Sequence, residues 1–321
     1  MKNKKKSPNY LQCIGIINPI RSGGNLLNRL LDTHPQLLTN HSENFLSVYI
    51  TRNDQLEKRI SKFKKKIVGK LDKKKFFRSL LFKDKYHIKA SKTGWIKTNY
   101  NNPIEYRYNY NLHLKYFMES LELNSNYRNL LDAYVKSFFK SFNSRNIRKE
   151  IKFYNTYWPN FSLYKKNLKN FFEIYPDGYL IYIIRDPLQW AASCKIRKPK
   201  EFSMRYMRLF YERSILNFIN LTNYKKQNIL IIDFNDLIIN TKKTMKAILR
   251  KLNLKNKHQG IIHPTVFKKK IEGNSILPEE RTFKVNKNVL KNFNTILTND
   301  EKKKIVQKFN KIYRKILKKK L

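Results

Sequence analysis

The sequence predicts an α/β fold: a central, mostly parallel sheet flanked by helices. Three stretches carry that expectation. Leu11 to Ile17 is a short apolar run, broken only by Gln12 and Gly15, and it stops at Asn18-Pro19. It leads through the small-residue loop Arg21-Ser22-Gly23-Gly24-Asn25 into Leu26, Leu27, Leu30 and Leu31, which are at helical spacing. Tyr179 to Ile184 (YLIYII) follows the turn signal Pro176-Asp177-Gly178 and runs into Arg185-Asp186-Pro187, and Asn228 to Phe234 (NILIIDF) is a third run of the same kind. Continuous apolar runs fit strands covered on both faces, and parallel strands need crossovers, usually helices, between them.

The 321 residues suffice to bury a full core, and residues 11–321 read as one domain behind a basic, mobile tail at 1–10. Charge is the outlying property: 69 Lys+Arg against 23 Asp+Glu, a net charge of +46. Such a field attracts anionic cofactors, polyanions and anionic membrane surfaces. The lysines, however, are spread along the chain, and runs such as Lys64–Lys66, Lys302–Lys304 and Lys318–Lys320 read mostly as solvated surface. The two cysteines, Cys13 in the first run and Cys194 after Pro187, make no disulfide framework and suit buried thiols in a reducing compartment. No run reaches membrane-span length, and Met1–Lys6 precedes a stretch containing Gln12, Asn18 and Pro19 with no cleavage signal, so the expected location is cytoplasmic.

Taken in order, the first unit is strand, loop and helix, closed by His34-Pro35. A helix N-terminus behind such a loop is an anion site, because its first N–H groups lack intrahelical partners and the helix dipole points its positive end there. No Gly-Lys-Ser/Thr triplet follows Gly15, so magnesium-dependent phosphoryl transfer is disfavoured. Residues 51–150 form a helical insertion and the expected acceptor region: Lys-rich helical segments, a Tyr/Asn-rich stretch from Trp95 to Tyr110, then a helical pattern from Leu112 to Phe142. Phe161, Tyr164, Leu168, Phe171 and Phe172 are expected on one face of the next helix. Asp186 is a good N-cap and Pro187 suits a first helical position, which leaves Arg185 at a strand's carboxyl end and Ser193 two turns into a helix. A long amphipathic helix from Phe202 to Leu221 and a strand-helix unit at Phe234-Asn235-Asp236-Leu237 follow. Thr298-x-x-Glu301 is a capping box that opens a last helix, whose buried face is Ile305, Phe309, Ile312, Tyr313 and Ile316.

Pro19-Ile20-Arg21-Ser22-Gly23-Gly24-Asn25-Leu26-Leu27, followed by Leu30-Leu31-Asp32-x-His34-Pro35, resembles the donor-binding loop of the sulfotransferases that use PAPS (3′-phosphoadenosine-5′-phosphosulfate). Arg185-Asp186-Pro187 with Ser193 resembles that family's second donor motif in order, spacing and context. The resemblance implies a P-loop NTPase-like sulfotransferase fold and transfer of a sulfuryl group from PAPS to a hydroxyl acceptor, most plausibly a saccharide or glycan, without a metal. A tyrosyl peptide or a small alcohol stays open as acceptor. It also implies that Arg21 and the N–H groups of Ser22, Gly23, Gly24, Asn25 and Leu26 hold the 5′-phosphate, that Arg185 and Ser193 hold the 3′-phosphate, and that Glu43 is the general base with Arg21 assisting catalysis. His41 is the rival base. A late P-T…G-N-S loop, here His263-Pro264-Thr265 and Glu272-Gly273-Asn274-Ser275, matches a loop that covers the nucleotide in many bacterial members.

Two departures stand out. The family's Thr-Thr is Gly24-Asn25 here, and Tyr157 stands where a lysine of a K-x-P motif is expected, with Trp158-Pro159 beside it. Lys152 or Lys165 could substitute, or Arg21 could act alone. A different class of function stays open beside the enzyme: a non-catalytic polyanion- or nucleotide-binding protein on a degenerate scaffold of this kind.

Overall fold

The computed structural model describes residues 11–41, 47, 95–97, 105–120, 127–142, 150–222, 226–255, 262–266, 269–271, 285–290 and 293–321. In chain order these give β1 (Gln12–Asn18), α1 (Gly24–Leu31), β2 (Leu37–Thr39), β3 (Trp95–Lys97) and β4 (Glu105–Arg107). Then come α2 (Tyr110–Ser120), α3 (Tyr127–Phe142), β5 (Phe153–Pro159), α4 (Lys165–Ile174), β6 (Tyr179–Ile184) and α5 (Pro187–Arg197). α6 (Met204–Met207) passes through a π-helical turn, Arg208–Glu212, into α7 (Arg213–Thr222). β7 (Ile229–Asp233), α8 (Phe234–Ile239), α9 (Thr241–Lys251), β8 (Thr265–Val266), β9 (Lys269–Lys270), α10 (Phe293–Ile296) and α11 (Asn299–Leu317) complete the described chain.

The central sheet runs β2-β5-β1-β6-β7 with every neighbouring pair parallel. β1 lies in the middle, pairing Ile16 with Tyr157 on one side and Ile14 with Tyr179 on the other. The period of two along each strand divides the core into two layers. Cys13, Ile17, Tyr154, Trp158, Leu180, Tyr182 and Ile231 face α3, α4, α5, α7 and α11. Ile14, Ile16, Phe153, Tyr157, Ile181, Ile183, Leu230 and Ile232 face α1, α8 and α9.

The three apolar runs are strands as expected, but the other two strands of the central sheet were not foreseen. β2 is only three residues long. β5, FYNTYWP, carries Asn155 and Thr156 in its middle, where a buried strand is expected to be apolar. The polar groups are paired internally: Asn155 Nδ2 donates to Asn28 Oδ1 (2.8 Å) and its Oδ1 accepts from Thr39 Oγ1 (2.8 Å). Asn28 Nδ2 in turn donates to Asn40 O (2.8 Å), so one network ties α1, β2 and β5 together.

Three further expectations need correcting. Tyr164 lies just before α4, 59% exposed, because Phe161–Leu163 form a separate 3-10 turn and shift the helical phase. The stretch from Trp95 to Tyr110 contains the antiparallel pair β3–β4, so the insertion is not wholly helical. Its end is also built into the core: Leu131, Tyr134, Val135 and Phe138 of α3 join the layer of Tyr154 and Trp158. The segments Leu56–Leu71 and Phe76–Phe82 lie outside the described residues.

The capping box of α11 is present, with Glu301 N donating to Thr298 Oγ1 (3.2 Å) and Thr298 N to Glu301 Oε2 (2.8 Å). At the far end, Leu321 N donates to Ile231 O (3.0 Å) on edge strand β7. Among the described residues no helix is long and apolar enough to cross a membrane.

Candidate active site

In a parallel sheet the ligand crevice opens beyond the carboxyl ends of the strands. Three loops meet there. The first, Pro19–Gly23, follows β1 and is bent by two residues in the left-handed region, Arg21 (φ 72°) and Gly23 (φ 92°). Left-handed backbone is uncommon for a residue with a side chain, costs on the order of 1 kcal/mol, and gathers at functional sites. Asn160 at the end of β5 supports the bend, with its Oδ1 accepting from Ile20 N (3.0 Å) and its own N–H donating to Asn18 O (2.9 Å).

The second loop follows β6 and opens α5. Asp186 caps the helix as expected, its Oδ1 accepting from Leu188 N (2.9 Å) and Gln189 N (3.2 Å). Burial raises the Asp186 carboxyl above its ordinary range, and these N–H groups act against that. Arg185 and Ser193 then come together with Arg21 although they lie far away in the chain. Arg21 Nε donates to Ser193 Oγ (3.2 Å), and Arg185 Nη1 donates to Arg21 O (3.1 Å). Trp190, one turn into α5, adds a third stitch by donating its indole N–H to Ile20 O (2.6 Å).

The third side comes from β7. The Phe234 ring lies under Arg185, with the guanidinium carbon 4.4 Å from the ring centroid, a cation–π contact that holds the fork flat. The same ring occupies the space a side chain at position 23 would need. Tyr211, in the π-helical turn, donates its hydroxyl to Arg185 O (2.7 Å), so both ends of Arg185 are fixed. Val289 O accepts from Arg185 Nη2 (3.2 Å) and brings the late segment 285–290 to the same spot. Sequence reading missed Trp190, Tyr211, Phe234 and Val289; Phe234 alone had a local signal, at the start of its strand-helix unit.

Ser22 is fully buried, and its Oγ has no hydrogen-bond partner among the described residues. A buried, unsatisfied hydroxyl costs about 1–3 kcal/mol, and an anion at the N-terminus of α1 would remove that cost. Gly24, the first residue of α1, leaves the backbone bare because a side chain there would run into the Tyr157 ring and Asn18 Oδ1. Asn18 Oδ1 is itself buried without a partner among the described residues, adding an acceptor that a hydroxyl would satisfy and an anion would not. The residues present therefore fit a bound phosphate ester: N–H groups and Ser22 at one end, the Arg185 fork and Ser193 at the other.

Other expected residues sort as follows. His41 Nε2 is 2.9 Å from Asp32 Oδ1, with both side chains almost wholly buried, and Asp32 Oδ2 accepts from Thr265 Oγ1 (2.7 Å). This pairing ties His41 to the end of α1 and, through Asp32, to the late segment at Thr265. His34 is structural: Nδ1 accepts from Gln36 N (3.2 Å), which leaves Nε2 to donate to Lys255 O (3.0 Å). Burial lowers the His34 pKa, as a neutral ring requires. Cys13 and Cys194 are buried free thiols, and burial pushes Cys194 up to about 12. Lys152 cannot replace the expected lysine. It precedes β5 at the strand's far end and donates to Asn253 O (3.1 Å), five residues or roughly 16 Å from Tyr157. Lys165 opens α4 with its side chain exposed. Glu43 and the segment Glu272–Ser275 lie outside the described residues. Among the described residues no cluster of three or more metal-ligating side chains forms.

The model of a sulfotransferase family matches residues 12–258, which takes in both donor loops and every strand of the central sheet. The chain belongs to that family. As a sulfotransferase it shares its fold with the sulfotransferase domain from the Synechococcus PCC 7002 olefin synthase, at 13% identity and a TM-score of 0.56, covering 98% of this chain and 97% of that one. It is likewise similar to the sulfotransferase domain from the curacin biosynthetic pathway, at 13% identity and a TM-score of 0.53, covering 94% of this chain and 98% of that one. No curated protein matches this sulfotransferase.

Proposed function

We propose that this sulfotransferase uses PAPS as donor and a saccharide or glycan hydroxyl as acceptor, with Glu43 as general base and no metal. The observation that supports it most is the meeting of Arg185 and Ser193 with Arg21, in the same loop as the Ser22 hydroxyl, which has no partner among the described residues. Bound PAPS supplies a sulfuryl group that needs less charge neutralisation than a phosphoryl group, so oriented N–H groups and two arginines can suffice. In this reading the N–H groups of Ser22 to Leu26, the Ser22 hydroxyl and Arg21 hold the 5′-phosphate. Arg185 and Ser193 hold the 3′-phosphate, and Glu43 takes the acceptor's proton. Residues 11–321 act as one domain, and its two buried free thiols suit the cytoplasm.

Thermal melts test the donor half. PAP, the desulfated nucleotide, should stabilise the chain, while ATP with magnesium, which lacks a 3′-phosphate, should do so much less. Arg185→Ala should remove most of the PAP shift; equal shifts with both nucleotides would sink the donor assignment.

Single-turnover transfer tests the base. Glu43→Gln keeps size and polarity but cannot accept a proton, so the rate should fall by about two to four orders of magnitude with PAP affinity nearly unchanged. His41→Gln should lower thermal stability through its lost Asp32 partner and leave the rate within roughly tenfold. The reverse pattern would make His41 the base.

A further inference from the structure

The outward face of α11 is a row of cations, most of which have no acidic partner among the described residues. Ile305, Phe309, Tyr313 and Ile316 place the helix's apolar stripe in the core. On the other side Lys304, Lys308, Lys311, Lys315 and Lys318 are all exposed, alternately four and three residues apart, so they share one face. At 1.5 Å rise per residue the row is roughly 21 Å long, with a cation about every 5 Å.

From Lys302 to Leu321 the chain has ten lysines and arginines and no carboxylate side chain. The ends of that run are answered, Lys304 by Asp300 (2.7 Å) and Lys320 by Asp236 (2.9 Å). Lys308, Lys311, Lys315 and Lys318 have no acidic partner among the described residues, whereas Lys169 pairs with Glu173 (3.7 Å) one helical turn away on α4. Like charges a turn apart weaken a helix. The helix dipole offsets this for Lys315 and Lys318 near the C-terminus, but not for Lys304, Lys308 and Lys311.

We propose that this row binds an extended anionic polysaccharide, the charged stretch of a polymeric acceptor. The proposal rests on the saccharide reading above and deepens it. A bilayer surface fits less well, because a helix lying in a membrane buries its apolar face there and that face of α11 is already in the core. Single-stranded nucleic acid binds through aromatic platforms as well as charge, and the aromatic residues of α11, Phe309 and Tyr313, are buried. A chain with anions at regular spacing can be held by charge alone, which is what the row offers. The row also stands apart from the donor pocket: α11 packs behind α5 through Lys195 and Glu301 (2.8 Å), and Phe309 meets the Tyr211 ring at 6.2 Å. A polymer on the row would therefore leave the nucleotide site open.

The test is binding of the full chain to dextran sulfate at rising salt, with neutral dextran, phosphatidylserine vesicles and an oligothymidylate as comparisons. One variant carries Lys308→Gln, Lys311→Gln, Lys315→Gln and Lys318→Gln. A second carries Lys242→Gln, Lys243→Gln, Lys246→Gln and Arg250→Gln on the exposed face of α9, removing the same charge elsewhere. The α11 variant should lose at least tenfold in dextran sulfate affinity and show a flatter salt dependence, the α9 variant less than threefold, and the PAP melting shift should stay unchanged in both. Equal losses, or no loss from the α11 variant, would overturn the row as a site. Tighter binding of vesicles or oligonucleotide, lost with the same lysines, would overturn the polysaccharide. If wild type shows the α11-dependent binding but no PAP shift, the donor reading fails and the row stands.

Discussion

Gly24 has a normal backbone conformation, so its need for glycine is spatial rather than conformational. A side chain there would enter the Tyr157 ring, and Tyr157 is held by its place opposite Ile16 in the sheet. The two departures from the family pattern are therefore one feature: an aromatic wall at position 157 excludes a threonine at 24. The change at 24 cannot be reversed while the ring stands. Gly24→Thr in the native background should unfold the loop and abolish the PAP melting shift. The same change beside Tyr157→Ala leaves the contact with Asn18 Oδ1, the far end of a side chain that can turn aside, and should recover a folded chain with measurable PAP affinity, a coupling of about 1–3 kcal/mol in a double-mutant cycle. Additive losses would show that the ring and the loop are independent. The sequence showed both departures, but they are far apart in the chain, and only the register of β1 against β5 joins them.

Among the elements, α3 shows how the insertion is fixed to the sheet at the end away from the donor loops. Arg128 Nη1 pairs with Asp177 Oδ1 (2.7 Å), and Nη2 donates to Leu11 O (3.2 Å), clamping the helix to the start of β1 and the turn before β6. Asp132, one turn on, is buried, and burial raises its carboxyl to about 7 although Arg128 Nε is 3.8 Å away. Between its ordinary value of 3.8 and about 7 the folded chain keeps a proton that the unfolded chain releases. Stability from this group is thus greatest at low pH and falls as pH rises through that window. Asp132→Asn should flatten the melting curve across that window and be more stable than wild type at pH 8, by on the order of 1–3 kcal/mol. A variant less stable than wild type at pH 8 would mean that the Arg128 pairing outweighs the burial. Elements with continuous apolar runs were legible in the sequence to within a residue or two: β1, β6, β7, and α5 with its Asp186 cap. β5 was not, because its interior polar residues are satisfied by partners on β2 and α1 that no local pattern reveals. The π-helical turn was equally invisible. It matters because it lies where Tyr211 reaches Arg185 O.

At the scale of the molecule, the donor half and the acceptor half were unequally legible, for a physical reason. In the proposed reading the donor loops bind a constant anion, so glycines, a cap and an arginine fork suffice and leave a short motif. Acceptor binding is built from whatever side chains line the crevice, and no residue type announces it. Residues 127–142 belong to the core beneath the sheet, and Asp32 clasps the β2 exit through His41 and the late segment through Thr265. The proposal that the insertion sets acceptor choice then falls on its front, residues 51–104, following directly on the stretch that carries Glu43. Replacing residues 51–104 with the equivalent stretch of a relative should change which hydroxyl compounds take up labelled sulfate while leaving the PAP melting shift within a degree or two. Extending the replacement through 142 should cost folding itself, because Leu131, Tyr134 and Phe138 would lose their fit against Tyr154 and Trp158. A folded 51–104 chimera that keeps its original acceptor would move acceptor choice to the crevice floor, where Asn18 Oδ1 and Tyr157 would be the next residues to change.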